Sequence, residues 1–188
     1  MWFYSMKKAG LFAMILVAMV GVYSFKKMED TPKAKINWMT WQQVAEAQKK
    51  EPRKVVVDVY TGWCGWCKRM DVATYENPQV VKFINDNFYA IKFDAETREE
   101  ITLDGKTYKF VPQGYRGYHE LAAEILNGQM SYPTTVYIDE KMNVIFPVPG
   151  FLEPGRFDMV SNYVFSNSFK TMKWEEFDKT FKTKVVSE

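Results

Sequence analysis

The sequence predicts an α/β domain, and three observations carry that reading. Residues 55–60 (Val-Val-Val-Asp-Val-Tyr) are β-branched and aromatic, so they read as a buried strand. Residues 68–73 read as a helix, and between strand and helix lie the chain's two cysteines, Cys64 and Cys67. Downstream, helical patterns and alternating strand patterns follow one another to about residue 165.

In chain order, residues 1–25 come first. Lys7 and Lys8 form a basic region, the span from Ala9 to Phe25 is uncharged and mostly apolar, and Val22-Tyr23-Ser24 offers a small-residue cleavage site. This predicts a signal peptide or an N-terminal membrane anchor, the span being just long enough for a membrane helix. Either places the domain outside the cytoplasm, in the periplasm or cell envelope, where disulfides persist. Without Lys7 and Lys8 the formal charge of +2 falls to zero. A neutral mature chain argues against nucleic acid as the main partner.

Residues 26–35 are charged, contain Pro32 and read as a linker. The domain proper is expected over 36–166. Asn37 or Thr40 can cap a first helix carrying Trp41, Val44, Ala45 and Ala47, which Pro52 ends. Trp38 and Trp41 are expected in the core or over the first strand. After the cysteine helix, Asn77-Pro78 marks a break, and 79–87 forms a helix with Val80, Val81, Phe83 and Ile84 on its apolar face. Residues 88–94 alternate as a strand, with Lys92 expected in solvent.

Residues 96–118 read as an insertion. Asp104-Gly105 between two alternating runs signals a hairpin over 101–110, followed by a loop over 111–118. Tyr115 and Tyr118 in that loop are expected to cover the hairpin, docking of a partner being the alternative. A helix over 119–126 follows, with His119 as a surface residue at its start and Gly128 as its stop. Residues 134–138 then read as a strand and 144–148 as an edge strand punctuated by Pro147. A helix over 154–165 accepts Pro154 in its first turn. In the extension over 167–188, Trp174, Phe177 and Phe181 share one face of a short helix.

The chemistry sits at the Cys-x-x-Cys pair. A cysteine delivered by a strand onto the first turn of a helix meets free amide N–H groups and the positive end of the helix dipole, which favour a thiolate. A metal site is the weaker reading, because two cysteines and one histidine fall short of a closed zinc set. A purely structural bridge across so short a loop would gain little chain entropy. Asp58 inside an apolar strand is costly unless it has a task or a partner.

The run Trp63-Cys64-Gly65-Trp66-Cys67-Lys68, with Asp58 six positions before the first cysteine, resembles the active site of the thioredoxin family. The resemblance implies a central mixed β-sheet flanked by helices, with the hairpin inserted before the third helix and a C-terminal helical extension. It also implies that Cys64 is the exposed nucleophile, that Cys67 resolves the mixed disulfide, and that Asp58 moves its proton. Pro133, just before the 134–138 strand, falls where that family has a cis proline against the cysteines. Tyr132 and Pro133 would hold a substrate strand, with Trp63, Gly65 and Trp66 lining the contact. Trp66 departs from the proline of thioredoxin itself, and Gly-Trp looks more like the reductase domains of bacterial envelopes.

The function expected is thiol–disulfide oxidoreduction in the cell envelope, in the reductive direction, on protein disulfide or dithiol substrates. Electrons would come from a membrane donor, and the cysteine pair itself serves as the redox group without a cofactor or metal. The alternatives are a disulfide oxidase or isomerase, and a non-enzymatic binding module with the pair as a redox-sensing latch.

Overall fold

The computed structural model describes residues 34–185. The leader and the linker up to residue 33 lie outside the described residues. Among the described residues no helix is long and apolar enough to cross a membrane.

The elements are β1 (Trp38–Met39), α1 (Trp41–Gln48), β2 (Lys54–Tyr60), α2 (Gly65–Ala73), α3 (Pro78–Asn87) and β3 (Phe88–Asp94). There follow β4 (Ile101–Leu103), β5 (Lys106–Tyr108), β6 (Phe110–Gln113), β7 (Arg116–His119) and α4 (Glu120–Ile125). The chain continues through β8 (Thr134–Ile138), β9 (Val144–Pro149), α5 (Pro154–Phe165), a 3₁₀ turn at Ser168–Lys170 and α6 (Trp174–Thr180). The central sheet has the order β1-β3-β2-β8-β9, with β1, β3 and β2 parallel and β8 and β9 antiparallel to their neighbours. This is the mixed sheet flanked by helices that the sequence implied.

The strand period of two divides β2 between two cores. Val55, Val57 and Val59 join Trp41, Ile91, Phe93, Leu121 and Val136 on one face. Val56 joins Met70, Val81, Ile84, Ala90, Tyr137 and Phe157 on the other. Asp58 shares the parity of Val56, and so points to the α2 side.

Local chemistry sets the helix boundaries. Thr40, not Asn37, caps α1: its hydroxyl accepts the Gln43 N–H, and the Gln43 side chain accepts the Thr40 N–H, a reciprocal capping box. The Asn37 N–H is used elsewhere, donating to Asn85 Oδ1. Asn77 caps α3 ahead of Pro78 in its first turn. Trp41 is buried in the core, while Trp38 packs edge-on against Tyr75.

The insertion contains more structure than expected. Asp104 and Gly105, both at positive φ, turn the β4–β5 hairpin as the sequence indicated. The segment expected as a loop over 111–118 instead forms a second hairpin, β6–β7, closing around Gly114. Its strands carry little apolar alternation and include Pro112 and Gly117, so no strand pattern marks them. Tyr115 does not cover the hairpin, because at its tip the side chain is fully exposed. Tyr118 is half-buried.

His119 is not a surface residue: it is fully buried. It ends β7 and caps α4, its Nδ1 accepting the Leu121 N–H while its Nε2 lies 3.0 Å from the Glu99 carbonyl oxygen. Its ring meets Phe93 edge to face. A polar residue can be fully buried where both ring nitrogens find partners. The C-terminal helix α6 packs Phe177 against Tyr163 of α5, with ring centroids 4.9 Å apart, and Trp174 lies on the same ring.

Candidate functional site

The strand β2 ends at Tyr60, and a tight turn in which the Cys64 N–H donates to the Thr61 carbonyl carries the chain into α2. Cys64 is the N-cap of α2: its Sγ accepts the Cys67 N–H at 3.0 Å. The sulfur therefore sits where the helix presents unpaired donors and the positive end of its dipole, the environment that stabilises a thiolate. Cys64 and Cys67 are joined as a disulfide, with an S–S distance of 2.05 Å.

One expectation needs correction here. Cys64 was expected to be exposed and Cys67 buried, yet in the disulfide form they are 5% and 3% exposed. What stands open is the pair of tryptophans beside them, Trp63 at 52% and Trp66 at 57%.

Behind the cysteines, Asp58 is 1% exposed. Its Oδ2 accepts from Lys92 Nζ at 2.9 Å, and Lys92 also donates to Asp71 on α2. Lys92 was expected in solvent, but the parallel register sets it directly beside Asp58. Both side chains then point to the same face. The ammonium also lies 4.9 Å from the ring centroid of Tyr60 and within 5.6 Å of those of Trp38 and Tyr75. Asp58 Oδ1, the Tyr75 hydroxyl and the Thr135 hydroxyl are buried without a hydrogen bond of ordinary geometry.

Burial pushes the Asp58 carboxyl above its ordinary value, and the Lys92 charge only partly offsets this. Desolvation also works against the Lys92 ammonium, but the carboxylates of Asp58 and Asp71 outweigh it and hold Lys92 above its usual range. The site thus sets a lysine held in its charged form beside a carboxyl held above its ordinary value. Among the described residues no group of three or more His, Cys, Asp or Glu is placed to hold a metal ion.

The third component arrives from β8. The Tyr132–Pro133 peptide bond is cis. The β2–β8 register pairs Val59 with Thr134, so Pro133 falls next to the end of the strand that leads to Cys64. Tyr132 packs edge to face on Trp63, with centroids 6.0 Å apart. Burial, then the nearby Glu96 and Asp94 charges, push the Tyr132 hydroxyl up to about 12, so it stays protonated at neutral pH. Gly65 opens α2 with nothing near the position a Cβ would take. The structure therefore gathers Asp58, Trp63, Cys64, Gly65, Trp66, Cys67, Tyr132 and Pro133 around the end of β2.

Three residues at this end of the sheet had not been singled out. Asp71 holds Lys92 from the helix side. Arg69 lies over the Trp66 and Phe151 rings, and Arg116 of the insertion lies over Trp63. A guanidinium one helical turn from a tryptophan hints at the Arg69 contact. Nothing in the local sequence points to Arg116, which meets Trp63 only through the β6–β7 hairpin.

Similarity to known proteins agrees with this geometry. The chain is 32% identical over 84 residues to an uncharacterized protein of Caenorhabditis elegans, an alignment covering 44% of this chain and 12% of the worm protein. A thioredoxin-fold protein from Helicobacter pylori superposes with a TM-score of 0.51 at 18% identity, over 68% of this chain and 79% of that one. A thioredoxin from Thermus thermophilus gives 0.51 at 17% identity, over 69% and 87% of the two chains. These two likenesses show the fold. The family model described as "Thioredox_DsbH: Protein of unknown function, DUF255" matches residues 23–185. With the Cys-Gly-Trp-Cys pair closed as a disulfide in a thioredoxin-like sheet, the chain belongs to this thioredoxin-like family.

Proposed function

We propose that this thiol–disulfide oxidoreductase works as a protein-disulfide reductase on exported proteins. The observation that carries the reading is Cys64 Sγ held at the N-terminus of α2, bonded to Cys67, with buried Asp58 paired to Lys92 behind them. In the dithiol form the Cys64 thiolate attacks one sulfur of a client disulfide. The client S–S bond breaks, a Cys64–client S–S bond forms, and the departing client sulfur leaves as a thiolate that takes up a proton. Cys67 loses its proton to Asp58 and attacks Cys64 Sγ. This closes the Cys64–Cys67 disulfide and releases the second client thiolate. Two electrons have then moved from the protein to the client, and a membrane donor of two electrons would reset the pair. Tyr132 and Pro133 present a backbone edge for the client strand, with Trp63, Gly65 and Trp66 around the sulfur. The basic, then apolar, segment over residues 1–25 supports export to the envelope and leaves its cleavage or retention as an anchor to be tested.

The reduction potential of the Cys64–Cys67 pair tests the direction. A value near about −270 mV supports a reductase, and one near about −120 mV reverses the direction to oxidation. Cys67→Ser should accumulate mixed disulfides on Cys64. A partner retained without such adducts would favour a binding module over an enzyme.

A further inference from the structure

The rim of the disulfide has a charge pattern that a bare oxidoreductase site does not need. Trp63 and Trp66 flank the pair, and each carries an arginine on its face. The Arg116 guanidinium lies 4.3 Å from the Trp63 ring centroid. That of Arg69 lies 5.4 Å from the Trp66 centroid and 5.7 Å from that of Phe151. Of the other arginines, Arg53 pairs with Glu51 and Arg156 with Asp178, while Arg98 lies over the Phe110 ring of the inserted hairpin, away from the tryptophans. Among the described residues Arg69 and Arg116 make no ion pair. A guanidinium resting on a ring is oriented by the π face, yet its N–H groups remain available to a carboxylate.

The insertion is built to hold Arg116 there. The Ala95 N–H donates to the Tyr60 carbonyl, and the His119 N–H donates to the Ala95 carbonyl, tying the base of β7 to the end of β2. At Gly117 the Phe110 ring lies so close that a Cβ would stand 2.3 Å from its Cζ. The strand carrying Arg116 is thus clamped between a buried histidine and an aromatic ring. Asp94 and Glu96 act on the Tyr132 hydroxyl, and Asp94 Oδ1 is taken up by the Glu96 N–H. They disfavour a client carboxylate over Tyr132 and leave the outer faces of the two tryptophans as the attractive positions.

We propose that the Arg116–Trp63 and Arg69–Trp66 pairs form a docking surface for an extended client segment bearing carboxylate side chains on both sides of its cysteine. The proposal rests on the oxidoreductase reading above and adds the client chemistry. The inserted β6–β7 hairpin is then a selectivity element: it brings a cation to the near side of the nucleophile, and α2 supplies the one on the far side. Paired this way, charges act mainly on encounter rate and on discrimination between clients.

The test uses the reduced full-length protein and three synthetic peptides, each with one cysteine as a mixed disulfide to 2-mercaptoethanol. The cysteine is flanked on both sides by Glu, Gln or Lys, and the rate of 2-mercaptoethanol release is followed at low and at high salt. The Glu peptide is expected to react about 10-fold faster than the Lys peptide at low salt, and the gap should narrow as salt screens the charges. Arg116→Gln and Arg69→Gln should each shrink the Glu-to-Lys rate ratio, and Arg116→Glu should drive it below that of Arg116→Gln. Equal wild-type rates, or a ratio that neither arginine substitution changes, would overturn the proposal while leaving the oxidoreductase reading intact. Failure to consume any of the peptides, or neutral hydroxyethyl disulfide, would overturn both.

Discussion

Lys92 Nζ lies 2.9 Å from Asp58 Oδ2 because two adjacent parallel strands place these residues in direct register. The pair brings a cation to a buried carboxyl, and Asp71 holds the same ammonium from α2. Such an arrangement favours the charged lysine, while burial raises the aspartate carboxyl.

Asp58→Asn should raise stability at neutral pH. The Asp58 carboxyl is raised in the folded protein by burial, above an ordinary value of 3.8. The folded state therefore holds its proton to higher pH than the unfolded state does. Wild-type stability from this group is fully present below the unfolded value and declines as pH rises through the folded value. The Asn variant lacks that decline. Its Tm should exceed that of wild type at pH 7, and the difference should close as pH falls toward 3.8. Thermal denaturation across pH measures this; a variant less stable than wild type at pH 7 would contradict it.

Lys92→Met should raise the Asp58 carboxyl further, since it removes the nearest opposite charge and leaves desolvation unopposed. Carboxyl NMR of the reduced protein reads the titration directly. In turnover, the same variant should shift the pH dependence of Cys67 resolution upward. A titration that stays in place would mean that Asp71, rather than Asp58, carries the interaction with the lysine.

Gly117→Ala should strain the β6–β7 hairpin. The added methyl would meet Phe110 Cζ at 2.3 Å and the Val111 carbonyl oxygen at 2.4 Å, and backbone cannot step aside as a flexible side chain can. Overpacking of this kind costs about 1–3 kcal/mol, or roughly 2–4 °C in Tm per kcal/mol for a chain of this size. Hydrogen exchange should localise the loss to residues around β6 and β7.

His119→Phe should destabilise the fold although phenylalanine fills similar space. It would strip the Leu121 N–H of its acceptor and the Glu99 carbonyl of its ring partner, in a fully buried position. Each buried group left unsatisfied costs about 1–3 kcal/mol. Chemical denaturation should show a lower midpoint with little change in slope, the signature of lost stability without altered compactness. An unchanged midpoint would show that the histidine contributes only volume.

What the sequence by itself determined was local. The β-branched run of β2, a helix start at Asn37 or Thr40, the Asn77-Pro78 break, the Asp104-Gly105 turn and the Cys-x-x-Cys pair at a strand-to-helix junction all follow from neighbours a few residues apart. That was enough to single out Cys64 and Cys67, while the mixed sheet and the place of Pro133 were implied by the resemblance to the thioredoxin family. The tertiary structure decided what depends on long-range register and on which faces meet. Lys92 reads as a solvated strand residue until β2 and β3 are laid side by side, when strand parity turns it toward Asp58. His119 reads as a helix-start surface residue until β7 brings it under Phe93 and beside Glu99. Arg116 is separated from Trp63 by more than fifty residues, and a hairpin without apolar alternation carries it there. Periodicity reports the face a residue occupies on its own element, whereas the partner across that face is set by strand order and register, which no single segment encodes.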